Sequence, residues 1–240
     1  MRVPSAGART PPAGRPLLVR GGARRLCAGL VFALLMLVVP ALMGSTLSLS
    51  TLDARTGLLW LGNAGNGTVV APGPFLHYWG ASLPLSLSGA FSLVPELDLY
   101  GTQYQLLGAR AIPTEIEYKS SVFMLGVLLD PEFRYTFTIS KLLAWGFTAS
   151  PMFVFRIPTL SWDLGSTDIS SITKYLYAKA RFFYPGVGGF FDWQVFPNIG
   201  LEVRVRSFFP VFHLWDGEGL PFYDQLMIDG SIGLRFQIGK

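Results

Sequence analysis

From about residue 47 to the end, stretches in which apolar side chains recur at every second position follow one another, separated by turns and polar segments. Period two is the signature of a strand whose faces meet different surroundings. The clearest run is Trp145, Phe147, Ala149, Pro151, Phe153, Phe155 and Ile157, alternating with Gly146, Thr148, Ser150, Met152, Val154 and Arg156. Leu83, Leu85 and Leu87 alternate with Pro84, Ser86 and Ser88, and Leu97 and Leu99 with Glu96 and Asp98. Phe133, Tyr135, Phe137 and Ile139 alternate with Glu132, Arg134, Thr136 and Thr138. Leu201, Val203 and Val205 alternate with Glu202, Arg204 and Arg206, and Ile232, Leu234, Phe236 and Ile238 with Ser231, Gly233, Arg235 and Gln237. Soluble strands average about 5–6 residues. Alternating segments of about 10 residues belong to transmembrane barrels, where every backbone group must be paired. A soluble β-sandwich shares the period but carries more charge on shorter strands.

Turn signals fall at Ser88–Gly89, Ser140–Lys141 and Pro185–Gly186–Val187–Gly188, and longer polar segments at 62–73, 106–114, 159–171 and 212–223. Three short turns alternating with four longer loops predict eight strands, with both chain ends on one side. The expected strands are 47–61, 74–88, 91–105, 116–139, 143–158, 173–184, 189–210 and 225–239. A bulge or bend is expected at Asp130–Pro131, because proline removes a ladder donor. The fold class is all-β: a closed antiparallel transmembrane β-barrel of about eight strands, preceded by a cleaved signal peptide.

Residues 1–45 read as that signal peptide, and 46–240 as the barrel domain. Arg20, Arg24 and Arg25 precede the apolar run Leu26–Val39, Pro40 breaks it, and Ala41, Gly44 and Ser45 offer a small-residue cleavage site. A retained helical anchor would need about 20 apolar residues. A lipoprotein would need its cysteine at the end of the run, whereas Cys27 stands near the beginning.

Composition agrees with a chain whose surface largely avoids water: 50% of residues are hydrophobic and only 14% charged, against roughly a quarter charged in soluble domains. The basic pI belongs to the leader, which holds Arg2, Arg9, Arg15, Arg20, Arg24 and Arg25 and no acid. The remainder carries more acid than base, so a nucleic-acid partner is not expected. Cys27 is the single cysteine, so no disulfide or thiolate metal site is expected in the cleaved chain. No nucleotide fingerprint or metal spacing appears, and no cofactor is expected.

With apolar faces toward lipid, Glu96, Asp98, Arg134, Arg156, Lys179, Arg181, Glu202, Arg204, Arg206 and Arg235 are expected to line the lumen. Two readings remain open: an ion-paired filling of a closed lumen, or a basic lining that draws an anionic or amphipathic solute. Trp60, Trp79, Trp145, Trp193 and Trp215 suit aromatic girdles at the membrane–water boundary. His77 and His213 lack the serine two residues on that a lipid-deacylating barrel would want, and no catalytic role is expected.

The ending Ser231-x-Gly233-x-x-Phe236-x-Ile238 resembles the terminal signal that the barrel-assembly machinery reads, although the chain finishes Ile238-Gly239-Lys240 rather than on an aromatic residue. With its leader, eight alternating strands and longer loops at one end, the chain resembles small bacterial outer-membrane barrels of the OmpW/OprG-like and OmpX-like type, with a spirochaetal, treponemal flavour. The resemblance implies a porin-like, surface-exposed protein of the bacterial cell outer membrane. Its partners would be outer-membrane lipid, the assembly machinery and a small hydrophobic solute. OmpW-like members pass such solutes sideways through a gap in the wall, often at prolines, and Pro84, Pro95, Pro151 and Pro197 are the candidates here. Passive transport of small hydrophobic or amphipathic solutes is therefore expected. The alternatives are a closed structural or adhesive barrel with host-contacting loops, and a lipid-modifying enzyme.

Overall fold

A computed structural model describes residues 17–18, 51–64, 73–114 and 120–238. Within these, one antiparallel sheet closes on itself as a barrel of eight staves. β1 (Thr51–Leu61) is the first stave. β2 (Phe75–Ser82) and β3 (Leu85–Ser88) form the second, broken at Leu83–Pro84. β4 (Phe91–Leu107) is the third, and β5 (Arg110–Thr114) folds back against its far end. β6 (Ser121–Thr138), β7 (Leu143–Trp162), β8 (Phe183–Phe196), β9 (Ile199–Phe208) and β10 (Met227–Gln237) complete the wall. β10 closes it by pairing along β1, from Met227 against Leu61 to Gln237 against Thr51. Leu17–Leu18 forms a two-residue bridge with Leu160 and Ser161, off the barrel path. The rest of the expected signal peptide lies outside the described residues. No described helix is long and apolar enough to cross a membrane.

Three tight connections share one end of the barrel with Thr51 and Gln237. One uses Gly89, whose φ of +54° favours glycine. In the second, the Ser140 hydroxyl accepts the Leu142 and Leu143 amides, both at 3.2 Å. The third is Pro197–Asn198, so the expected turn at Pro185–Gly188 is corrected: those residues run inside β8. Gly186 and Gly188 are small because Phe208 and Arg206 press on them from β9, not because the chain turns there. The expected strands 173–184 and 189–210 are corrected with it. The first falls on α1 (Ser166–Tyr177) and the turn after it, and the second divides into the end of β8 and all of β9. Ile169, Ile172 and Leu176 carry helical spacing, but over so short a run Tyr175 and Tyr177 read equally well as alternation. The expected loop at 106–114 is largely the β4–β5 hairpin.

The distribution of side chains is inverted relative to a soluble protein. Phe147 (56% exposed), Phe133, Val205, Ile232 and Trp79 face outward, while Arg204 (1%), Arg206 (2%), Glu202 and Asp98 are buried. On β7, Trp145, Phe147 and Ala149 are exposed and Gly146, Thr148, Ser150, Met152, Val154 and Arg156 are buried. An apolar surface of this extent is stable only against hydrocarbon.

No bulge occurs at Asp130–Pro131. The register there is unbroken, but the β6–β7 ladder lacks pairs between Leu129–Phe153 and Phe133–Ala149, where Pro131 faces Pro151. Pro95 stands opposite Pro131 and Pro151 opposite Pro185, which sets four prolines side by side across four staves. The carbonyls of Pro95 and Pro185 turn away from this seam and accept the Leu83 and Phe209 amides at 3.1 and 2.9 Å. By antiparallel alternation the missing donors of Pro131 and Pro151 face each other, and the wall loses two hydrogen bonds there. Pro131→Val, which supplies one donor, is expected to stabilise the barrel by about 0.5–1.5 kcal/mol. A higher urea midpoint in detergent would register the gain, and an unchanged or lower midpoint would refute the seam.

Candidate functional site

The lumen is built in layers from the short-turn end. First comes a vestibule of about 550 Å³, lined by hydroxyls such as Ser92, Thr136 and Thr138, with Arg134, Asp192 and Arg235 among its walls.

Above it lies an ion-paired layer that uses inward positions of most staves. Arg235 bridges Asp53, Asp192 and Glu202 at 3.0, 2.8 and 2.9 Å. Arg134 contacts Glu132 and Glu202, each at 2.5 Å, and Glu96 at 3.3 Å. Arg55 reaches Glu96 at 2.8 Å and Asp98 at 2.9 Å. Arg204 pairs with Glu96, and Arg206 meets Asp130, Glu96 and Asp229 at 2.6, 2.7 and 2.9 Å. The Tyr78 hydroxyl donates to Asp229 at 2.6 Å. Burying an ion costs several kcal/mol unless it is paired with good geometry, and each guanidinium here has at least two carboxylates. Gly80 makes room: a Cβ there would fall 1.7 Å from Asp98 Oδ1.

Reasoning from the sequence placed Glu96, Asp98, Arg134, Glu202, Arg204, Arg206 and Arg235 on this face, and the structure brings these seven together. It adds Asp53, Arg55, Asp130, Asp192 and Asp229, which the sequence reading missed, and Glu132, which stood on the polar side of its alternation without being counted in the lining. The layer therefore holds more carboxylates than guanidiniums, which goes against the basic lining and agrees with the ion-paired filling, the two readings the sequence left open. Glu96, Asp130 and Glu132 bring oxygens within 4.8 Å of one another, a spacing a cation could use. Arg204 and Arg206 already fill that space, so the residues present do not make a metal centre.

Toward the loop end an apolar layer closes the bore with Leu59, Leu76, Leu128, Met152, Val154, Tyr184, Phe208 and Phe212. Arg156 lies buried among tyrosines. The mouth is then capped by α1, whose Ile172, Tyr175 and Leu176 pack on Tyr104, Val122 and Met124. Arg181 is not on a strand; it sits buried in this cap, paired with Asp216 at 3.4 Å and with Glu218. Lys179 is exposed on the turn after α1 and donates to the Asp216 carbonyl, so it does not line the lumen. His213 Nδ1 meets Asp216 at 2.8 Å and its Nε2 the Asp224 carbonyl at 2.9 Å, so neither ring nitrogen is left for a nucleophile. Burial alone would raise the Asp216 carboxyl, but the Glu218 amide and His213 outweigh it and hold it below its ordinary value. His77 lies on the outer face against Thr56 at 2.8 Å.

Trp145 and Trp193 are exposed near the short-turn end, with Phe137 stacked 4.7 Å from Trp145. Trp79 is exposed within β2, and Trp60 is half-buried in β1. Trp215 belongs to the mouth loop, where it donates to the Lys179 carbonyl at 2.9 Å. In the terminal segment, Ser231 and Gly233 face inward against Arg204 and Glu202, while Phe236 faces outward opposite Leu52 and Ile199. Ile238 follows the end of β10 and is 57% exposed.

No protein-family model matches the chain, and no curated protein matches it. Among solved structures, Neisserial surface protein A is 13% identical over 81% of this chain and 100% of its own, with a TM-score of 0.43. The N-terminal β-barrel domain of Pseudomonas aeruginosa OprF is 10% identical over 80% and 100%, with a TM-score of 0.40. Ail, the attachment invasion locus protein of Yersinia pestis, is 6% identical over 79% and 100%, with a TM-score of 0.41.

Proposed function

We propose that this protein is a sealed barrel of the bacterial outer membrane that acts through its loop end rather than as an open pore. Lipid covers its apolar belt, and the assembly machinery takes the Ser231–Ile238 segment as its signal. One observation supports the reading: charged and apolar side chains from most staves point into the bore, are buried there, and meet one another across it. Leu214, Trp215, Phe222 and Tyr223 stand exposed around the capped mouth, the part of the molecule that other surfaces meet. Purified protein in planar bilayers is expected to show no single-channel steps above the lipid baseline. Regular, reproducible conductance steps from the intact chain would overturn the proposal.

A second reading rests on the proline seam between β6 and β7. Passive transport of a small hydrophobic solute would use this weak place in the wall as its exit. Uptake of an apolar dye into proteoliposomes, compared between the wild type and Pro131→Val/Pro151→Val, separates the two readings. A lower rate in the variant supports sideways release, and equal rates at the level of empty vesicles leave the sealed barrel standing.

A further inference from the structure

Arg156 is the one buried arginine among the described residues with no carboxylate within ion-pair distance. It is 1% exposed. Nη1 donates to the Arg181 carbonyl at 3.3 Å and Nη2 to the Tyr184 hydroxyl at 3.3 Å, while Nε has no partner. Every other buried guanidinium, from Arg55 to Arg206, has an acid beside it. Guanidinium does not shed its proton inside proteins, so this charge is present and uncompensated by any side chain.

The surroundings are built from hydroxyls. Tyr104 and Tyr184 reach the guanidinium, and Tyr177 exchanges hydrogen bonds with the Arg156 backbone at 2.9 and 3.2 Å. Tyr100 lies over Gly126, where an added Cβ would come 2.1 Å from the phenol ring. Gly126 is the ladder partner of Arg156, so the Tyr100 phenol ends beside it. The Tyr100 hydroxyl is also buried without a partner. Leu128, Met152 and Val154 lie between this pocket and the ion-paired layer. Two unpartnered donors, one cationic and one phenolic, thus lie together in a buried space where no carboxylate comes within ion-pair distance of the guanidinium.

We propose that Arg156 and Tyr100 hold a small monovalent inorganic anion of halide size in the outer half of the lumen. The anion would neutralise the buried cation and lock the cap, because Arg156 also ties β7 to the turn at Arg181. The inference holds whether or not solutes cross the barrel.

Bromide is the probe. Crystals soaked in sodium bromide are expected to show an anomalous peak within contact distance of Arg156 Nε and the Tyr100 hydroxyl. In detergent, the thermal midpoint should rise by about 3–6 °C per tenfold increase in bromide above saturation, at ionic strength held constant with gluconate. Arg156→Met should abolish the dependence. If that variant does not fold, Tyr100→Phe decides, since it keeps the ring over Gly126 and removes only the hydroxyl; it should need several-fold more bromide for the same shift. Absence of the peak, or a bromide response that survives in every variant that folds, would overturn the proposal.

Discussion

Replacing Arg206 with alanine is expected to cost the folded barrel about 3–5 kcal/mol, the loss typical of breaking a buried ion pair from one side. The guanidinium is 2% exposed and lies between Asp130, Glu96, Asp229 and Glu132 at 2.6, 2.7, 2.9 and 3.2 Å. Its removal leaves four carboxylates facing one another in a layer already richer in acids than bases. The urea midpoint of refolded protein in detergent, with the slope checked for constancy, reads the effect. Arg206→Lys should fall between wild type and alanine, because an ammonium keeps the charge but loses the planar fork. Adding Asp229→Asn to the alanine variant should recover part of the loss, since it removes one of the stranded charges. If Arg206→Ala unfolds at the wild-type midpoint, the layer is ornamental and the sealed lumen loses its main support.

The barrel was legible in the sequence because hydrocarbon lies outside and charge inside, so the two faces of each stave differ at every step. Where the contrast fades, legibility fades with it. At the loop end of β1, Leu58 and Trp60 face outward while Leu59 and Leu61 face inward, and this continuous apolar run hides the inward Asp53 and Arg55 below it. The glycines of β8 read as a turn because the residues that demand them, Phe208 and Arg206, come from the neighbouring stave. The pairing itself is beyond any local pattern. Asp53 and Arg235 stand 182 positions apart, and Glu96 and Arg206 stand 110 apart. Alternation told which charges point inward, while only the register of the closed sheet told which acid meets which base. The isolation of Arg156 was equally invisible, since it depends on tyrosines from three other segments of the chain.

Gly186→Ala tests that cross-stave logic at a single methyl group. Gly186 pairs directly with Phe208 across the β8–β9 ladder. A Cβ there would stand 2.3 Å from the Phe208 ring, which is itself fully buried and carries the Arg206 guanidinium 4.9 Å from its centroid. The ring is fully buried, so alanine must displace either the ring or the cation stacked on it. Overpacking of this kind costs about 1–3 kcal/mol. Phe208→Leu, which removes the ring that collides, should make the alanine cost less than it does in the wild-type background. Gly230→Ala is the control: nothing lies within 4 Å of its Cβ, so its effect should stay within about 0.5 kcal/mol. Equal midpoints for Gly186→Ala and Gly230→Ala would mean that the small residues of β8 do not answer to the side chains of β9, and the reading of this stave as continuous strand would fail.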